Sequence, residues 1–197
     1  MPPDDRRRAI VDAVVPLLLQ HGDEVSTKQI AEAAGIAEGT IFRVFPDKAA
    51  LLMAAAEETM NPADGGAELE AALAGHDDLR ERVRITTERM IERSDRVIVV
   101  MMALRRIWLS QPPKRRHAAG PPAFMREANQ NLQAMLTRVF EPHRAELSVD
   151  PSTAATVLRT LVLGSRHPGV DPDTRLTAEQ IVEVLLDGIR TRTEKGD

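Results

Sequence analysis

The sequence has no cysteine, which removes disulfide bridges, thiolate metal sites and thiol nucleophiles at once. It has no apolar leader closing on small residues either: the first residues carry Asp4, Asp5 and the run Arg6-Arg7-Arg8. No uncharged stretch approaches the roughly 20 residues that a membrane-spanning helix requires. These absences set the expectation of a cytoplasmic protein with no membrane contact. Strand-like alternation of period two, internal repeats and low-complexity tracts are also missing. The histidines His21, His76, His117, His143 and His167 are scattered, and no HExxH, GxSxG, P-loop or GxGxxG pattern occurs, so catalysis, a metal and a cofactor are not expected. Finally, there is no basic excess. The net charge is −4, and residues 1–60 hold six Lys/Arg against ten Asp/Glu. A protein that coats nucleic acid regardless of sequence draws its affinity from counterion release and is usually basic. That mode is disfavoured, whereas a sequence-specific reader needs only a few cations on one face.

What is present is a chain of 197 residues with 43% apolar content, enough for a sizeable core, patterned for helices throughout. Ile10, Val11, Val14, Leu17 and Leu18 recur at helical spacing between Asp5 and Gln20, with Gly22 as a stop and Pro16 as an expected bend or lost hydrogen bond. Ser26 or Thr27 caps a short helix to Ala34, and Gly35 ends it in the left-handed conformation. After Gly35-Ile36-Ala37 a second short helix, Glu38 to Phe45, turns Ile41, Val44 and Phe45 inward. Asp47 caps a further helix from Lys48. Asn61 to Gly66 reads as a hinge. Beyond it, helices are expected near 67–75, 77–93, 95–109, 121–143, 152–166 and 177–193, with Gln111 to Pro122 as a proline-rich basic loop.

Two short helices joined by a tight glycine turn and braced by a preceding helix make a helix-turn-helix, whose second helix enters the major groove. Ala31 must be small where the helices cross, Gly35 must reach positive φ, and Ile36 must plug the space beneath the turn. The fold class is therefore all-α, with about nine helices. A head over 1–48, with a linking helix over 48–60, precedes a helical domain over 61–197.

The stretch Thr27-Lys28-Gln29-Ile30-Ala31-Glu32-Ala33-Ala34-Gly35-Ile36-Ala37-Glu38-Gly39-Thr40-Ile41-Phe42-Arg43-Val44-Phe45-Pro46-Asp47-Lys48, continued by Ala49-Ala50-Leu51-Leu52, resembles the signature of the TetR family of transcriptional regulators. The resemblance covers about a quarter of the chain. It implies a homodimeric regulator, most commonly a repressor released from a palindromic DNA operator by a small molecule. It also implies DNA contacts from Thr27, Lys28, Ala37, Glu38, Gly39, Thr40, Phe42, Arg43 and Lys48, with Thr27 capping its helix against a phosphate and Lys48 touching another. Ala37, Phe42 and Val44 depart from the family pattern, which has a polar residue, a tyrosine, and a histidine or tyrosine there. Each departure removes a donor to the phosphate backbone. Arg43 is then the candidate for bidentate contact with guanine, and Ala37 or Phe42 for a thymine methyl. Arg6 to Arg8 is either a DNA-binding arm or a solvated tail.

In the second half Met101, Leu104 and Trp108 share one helical stripe and Phe124, Ala128 and Leu132 another. They read either as core or as the lining of an apolar pocket. The resemblance favours a pocket, with Met90 and Arg105 added, the latter as partner for an anionic group. Residues Ala154 to Leu163 leave almost no polar face, so this helix must be buried on two sides. Ala155, Leu158, Val162, Ile181, Val184, Leu185 and Gly188 are expected to form a two-fold four-helix interface between subunits. The rival reading is a helical binding protein whose head has lost DNA and contacts another protein.

Overall fold

The computed structural model describes residues 3–60, 62–110 and 122–188, which form nine α-helices and no strand. These are α1 (Pro3–His21), α2 (Thr27–Ala33), α3 (Glu38–Val44), α4 (Lys48–Thr59), α5 (Pro62–Leu73), α6 (Leu79–Ser110), α7 (Ala123–Phe140), α8 (Pro151–Ser165) and α9 (Ala178–Asp187). They fall into two compact units. The first is 1–61 with 95–128, and the second is 62–94 with 129–197.

In the first unit α1 buries Ile10, Val11, Val14 and Leu18 against Ile30 and Ala31 of α2, Ile41 of α3 and Leu51, Leu52 and Ala55 of α4. Fully burying one such branched side chain is worth about 1.5–3 kcal/mol, so this core dominates the unit's stability. Pro16 sits on the exposed side of α1, which runs on through it to His21. Val100 and Ala103 of α6 belong to the same core. Arg6 to Arg8 lie within α1, and the Arg7 guanidinium stands over the Phe45 ring.

The second unit packs Leu69 and Leu73 of α5, Val83 and Met90 of α6, Leu136 and Phe140 of α7, Ala155, Leu158 and Val162 of α8, and Ile181 of α9. Asp150 caps α8, accepting from the Thr153 amide at 3.0 Å and its hydroxyl at 2.6 Å. Thr177 and Gln180 form a reciprocal capping box on α9.

Several expectations need correction. The hinge at 61–66 is absent from 62 onward, because Pro62 opens α5, a position where its missing N–H costs nothing. Gly65 within α5 leaves room for the Arg93 side chain, which a Cβ would strike. The separate helices at 77–93 and 95–109 are one 32-residue helix, α6. The Ser94 hydroxyl donates to the Met90 carbonyl at 2.6 Å instead of capping a new helix. The helix expected to 143 ends at Phe140 in a 3-10 turn over Glu141–Glu146. The last helix closes at Asp187, with Gly188 at φ +77 as its C-cap. Gln111 to Pro121 and the residues after 188 lie outside the described residues, as does the Trp108 side chain.

The subunit-interface expectation is displaced as well. Ala155, Leu158, Val162 and Ile181 are each fully buried in their own chain's second core, out of reach of a partner. Val184 and Leu185 are half-buried. The large apolar side chains that α8 leaves exposed are Val157 and Leu163, at 41% each.

Candidate nucleic-acid interface

The head is built by local chemistry. Ser26 caps α2, accepting from the Gln29 amide at 3.2 Å while the Gln29 side chain accepts from the Ser26 amide at 2.8 Å. Of the two expected candidates Ser26 is thus the cap, and Thr27 is the first helical residue. At the other end Ala34 is the C-cap, and Gly35 follows at φ +66. The Ile36 amide reaches back to the Ala31 carbonyl at 3.0 Å and the Gly35 amide to the Glu32 carbonyl at 3.2 Å. This pair of bonds is the Schellman closure. It needs the left-handed residue that glycine supplies and brings the following apolar side chain, Ile36, against the core.

The turn delivers α3 with two distinct sides. Ile41 and Phe45 are buried and Val44 packs half-buried against the same core. Glu38, Gly39, Phe42 and Arg43, one helical turn apart in pairs, are exposed, with Phe42 at 52%. Lys28 and Ala37 are exposed too, while Thr40 is half-buried. Gly39 has open space where a side chain would stand. Asp47 then caps α4, accepting from the Ala50 amide at 2.7 Å.

Two of the expected DNA contacts are engaged within the head. The Thr27 hydroxyl donates to a Glu38 carboxylate oxygen at 2.6 Å, and the Lys48 ammonium donates to the Val25 carbonyl. Lys48 thus ties the start of α4 to the segment before α2. No spacing in the sequence announces either bond, nor the seat of Arg7 on Phe45.

The eight residues expected around a ligand are divided. Met101, Leu104 and Phe124 are partly buried on the first core, whereas Met90 and Leu132 belong to the second. Arg105 is exposed and Ala128 half-buried. The described ones among them do not line the open groove of about 770 Å³ between α7 and α8 in the second unit, whose walls include Asn129, Gln130, Gln133, Thr137, Thr156 and Arg159. Gln133 spans it, its amide donating to the Ser152 carbonyl and the Thr156 hydroxyl, each at 3.0 Å. Among the described residues no three acidic or histidine side chains gather to hold a metal ion, and no helix is long and apolar enough to cross a membrane.

Residues 10–55 match the model of bacterial regulatory proteins of the tetR family. The fold is similar to that of a TetR transcriptional regulator from Streptomyces coelicolor, at 25% identity and a TM-score of 0.61, over 95% of this chain and 99% of that one. A TetR/AcrR family regulator from Thermobifida fusca is similar at 24% identity and a TM-score of 0.61, over 95% and 100%. The transcriptional regulator FadR from Bacillus subtilis, solved in complex with stearoyl-CoA, shares 16% identity at a TM-score of 0.56, over 93% and 99%. The matched span contains the whole α2–turn–α3 frame with the α4 start that braces it, so the head of this chain is that of the tetR family of bacterial regulatory proteins, on a fold shared with DNA-binding transcriptional regulators of that type.

Proposed function

We propose that two copies of this chain read a near-palindromic operator in the cytoplasm, repress the genes beside it, and are released by a small molecule. The observation that carries the DNA half is the division of α3: Ile41 and Phe45 anchor it while Glu38, Gly39, Phe42 and Arg43 face outward. In this reading Arg43 pairs with guanine, Lys28 and Thr27 meet phosphates, and Ala37, Gly39 and Thr40 permit close approach to the groove. Lys48 acts mainly from behind, by holding α4 to Val25. Two-fold symmetry requires the recognition helices about 34–36 Å apart, or a multiple of that.

The subunits would pair through the outward side of α8, where Val157 and Leu163 alternate with Thr153, Thr156, Thr160 and Gly164, together with Val184 and Leu185 of α9. Effector binding rests on partly buried Met101, Leu104 and Phe124, with exposed Arg105 on the same helix as the first two. A molecule with an apolar body and an anionic end suits that set, and stearoyl-CoA, bound by the B. subtilis neighbour, has that character. Its arrival would displace α4 and with it the two copies of α3.

The test is selection of duplexes from a random pool with the full-length protein, followed by fluorescence anisotropy. A palindromic sequence is expected to be enriched. Arg43→Ala should weaken binding by about 1–3 kcal/mol and relax one position, and Lys28→Ala should weaken all sequences alike. Enrichment of nothing would overturn the DNA reading. Unchanged affinity in both variants would overturn the residue assignments.

A further inference from the structure

The Thr27–Glu38 bond has no place in a generic DNA-reading head. A hydroxyl has a single proton to donate, and Thr27 donates it to Glu38, 2.6 Å away across the turn. Hydroxyls in this position of a protein–DNA complex commonly donate to phosphate oxygen. Phosphate and Glu38 therefore compete for the same proton, and the carboxylate, itself exposed, repels the phosphate that would replace it.

We propose that Glu38 sets the specificity of this head by this competition: released from Thr27 by the DNA backbone, its carboxylate is accommodated only opposite cytosine. The inference rests on the DNA reading given above. Glu38 is the first residue of the recognition helix, the end that meets base edges. In the major groove guanine offers two acceptors to a carboxylate, thymine an acceptor and a methyl group, and adenine a donor flanked by the N7 acceptor. Cytosine offers its N4 amino group as a donor. On any other base the displaced carboxylate faces acceptors, so binding to unrelated sequence is penalised. That penalty accords with a segment 1–60 holding ten acidic residues against six basic, since such a protein gains selectivity by binding poorly everywhere else.

Full-length wild type, Glu38→Gln, Glu38→Ala and Thr27→Val would each be carried through selection from random duplex, with anisotropy on the enriched and on scrambled DNA. Glutamine can still accept from Thr27 but carries no charge, and its amide pairs with adenine. Glu38→Gln should therefore change one position of each half-site from cytosine to adenine and strengthen binding to scrambled DNA roughly fivefold. Glu38→Ala should strengthen it similarly and lose preference at that position. Thr27→Val should weaken all sequences while keeping the cytosine. If wild type enriches a sequence and Glu38→Gln and Glu38→Ala enrich the same one with unchanged scrambled-DNA affinity, the inference falls while the DNA reading stands. If wild type enriches nothing, both fall.

Discussion

Arg7 lies over the ring of Phe45, its guanidinium carbon 4.7 Å from the centroid. Phe45 is the C-cap residue of α3 and is buried, so this contact joins the first turns of α1 to the end of the recognition helix. A cation on an aromatic face is worth about 0.5–1 kcal/mol where water has access. Arg7→Ala should lower the unfolding free energy in urea by that amount, and Arg7→Lys by less. Phe45→Ala empties a core position and should cost about 3–5 kcal/mol. An unchanged urea midpoint for Arg7→Ala, followed by circular dichroism, would show the contact to be idle.

The proposed pairing of subunits through the outward side of α8 separates two kinds of variant. Val157→Asp and Leu163→Asp put charge on the outward side of α8 and should give a folded monomer in light scattering. Leu158→Ala, inside the second core, should instead cost about 2–5 kcal/mol of stability and leave the folded fraction dimeric. A Val157→Asp, Leu163→Asp protein that stays dimeric would place the interface elsewhere.

Asp150 gives the second unit an acid sensitivity of known sign. The Thr153 hydroxyl, and next its amide, donate to this carboxylate and hold its pKa below the usual carboxylate range. A group whose pKa is lowered by folding contributes stability above its unfolded pKa, and the contribution fades as pH falls through the folded one. Asparagine caps a helix about as well as aspartate. Asp150→Asn should therefore melt close to wild type near pH 7 and lose less stability below about pH 4. Parallel melting curves for the two proteins across that range would refute the assignment.

Phe42 presents an exposed apolar ring on the outward side of α3, which in the proposed DNA reading would meet thymine methyl groups. Replacing thymine by uracil, position by position, in the selected operator removes one methyl at a time. One position should weaken wild-type binding by roughly 0.8 kcal/mol and leave Phe42→Ala indifferent. Equal losses for both proteins would remove Phe42 from base reading.

The head was legible because its constraints are local. Ala31, Gly35 and Ile36 answer to one short turn, and Ile41 and Phe45 to one helical face. The second half was less so, for reasons visible at particular residues. Ser94 followed by Asp95 looks like a helix start, yet a hydroxyl can also bond back to the preceding turn, and sequence does not say which. In α8 the core stripe Ala155, Leu158 and Val162 lies opposite Ser152, Thr153, Thr156 and Thr160, a polar side interrupted by Leu163 that a reading of the apolar residues alone passes over. The Thr27–Glu38 and Lys48–Val25 bonds join residues far apart in sequence and leave no periodic trace.

The two sides of α3 share seven residues but no side chain. Ile41 and the neighbouring Val44 and Phe45 hold the helix in place, Glu38 adds its bond from Thr27, and Gly39, Phe42 and Arg43 take no part in that. Surface substitutions away from structural features usually change stability by no more than about 0.5 kcal/mol. If this side reads an operator, its address can accordingly be rewritten, by natural drift or by design, at Gly39, Phe42 and Arg43 without disturbing the scaffold that carries them.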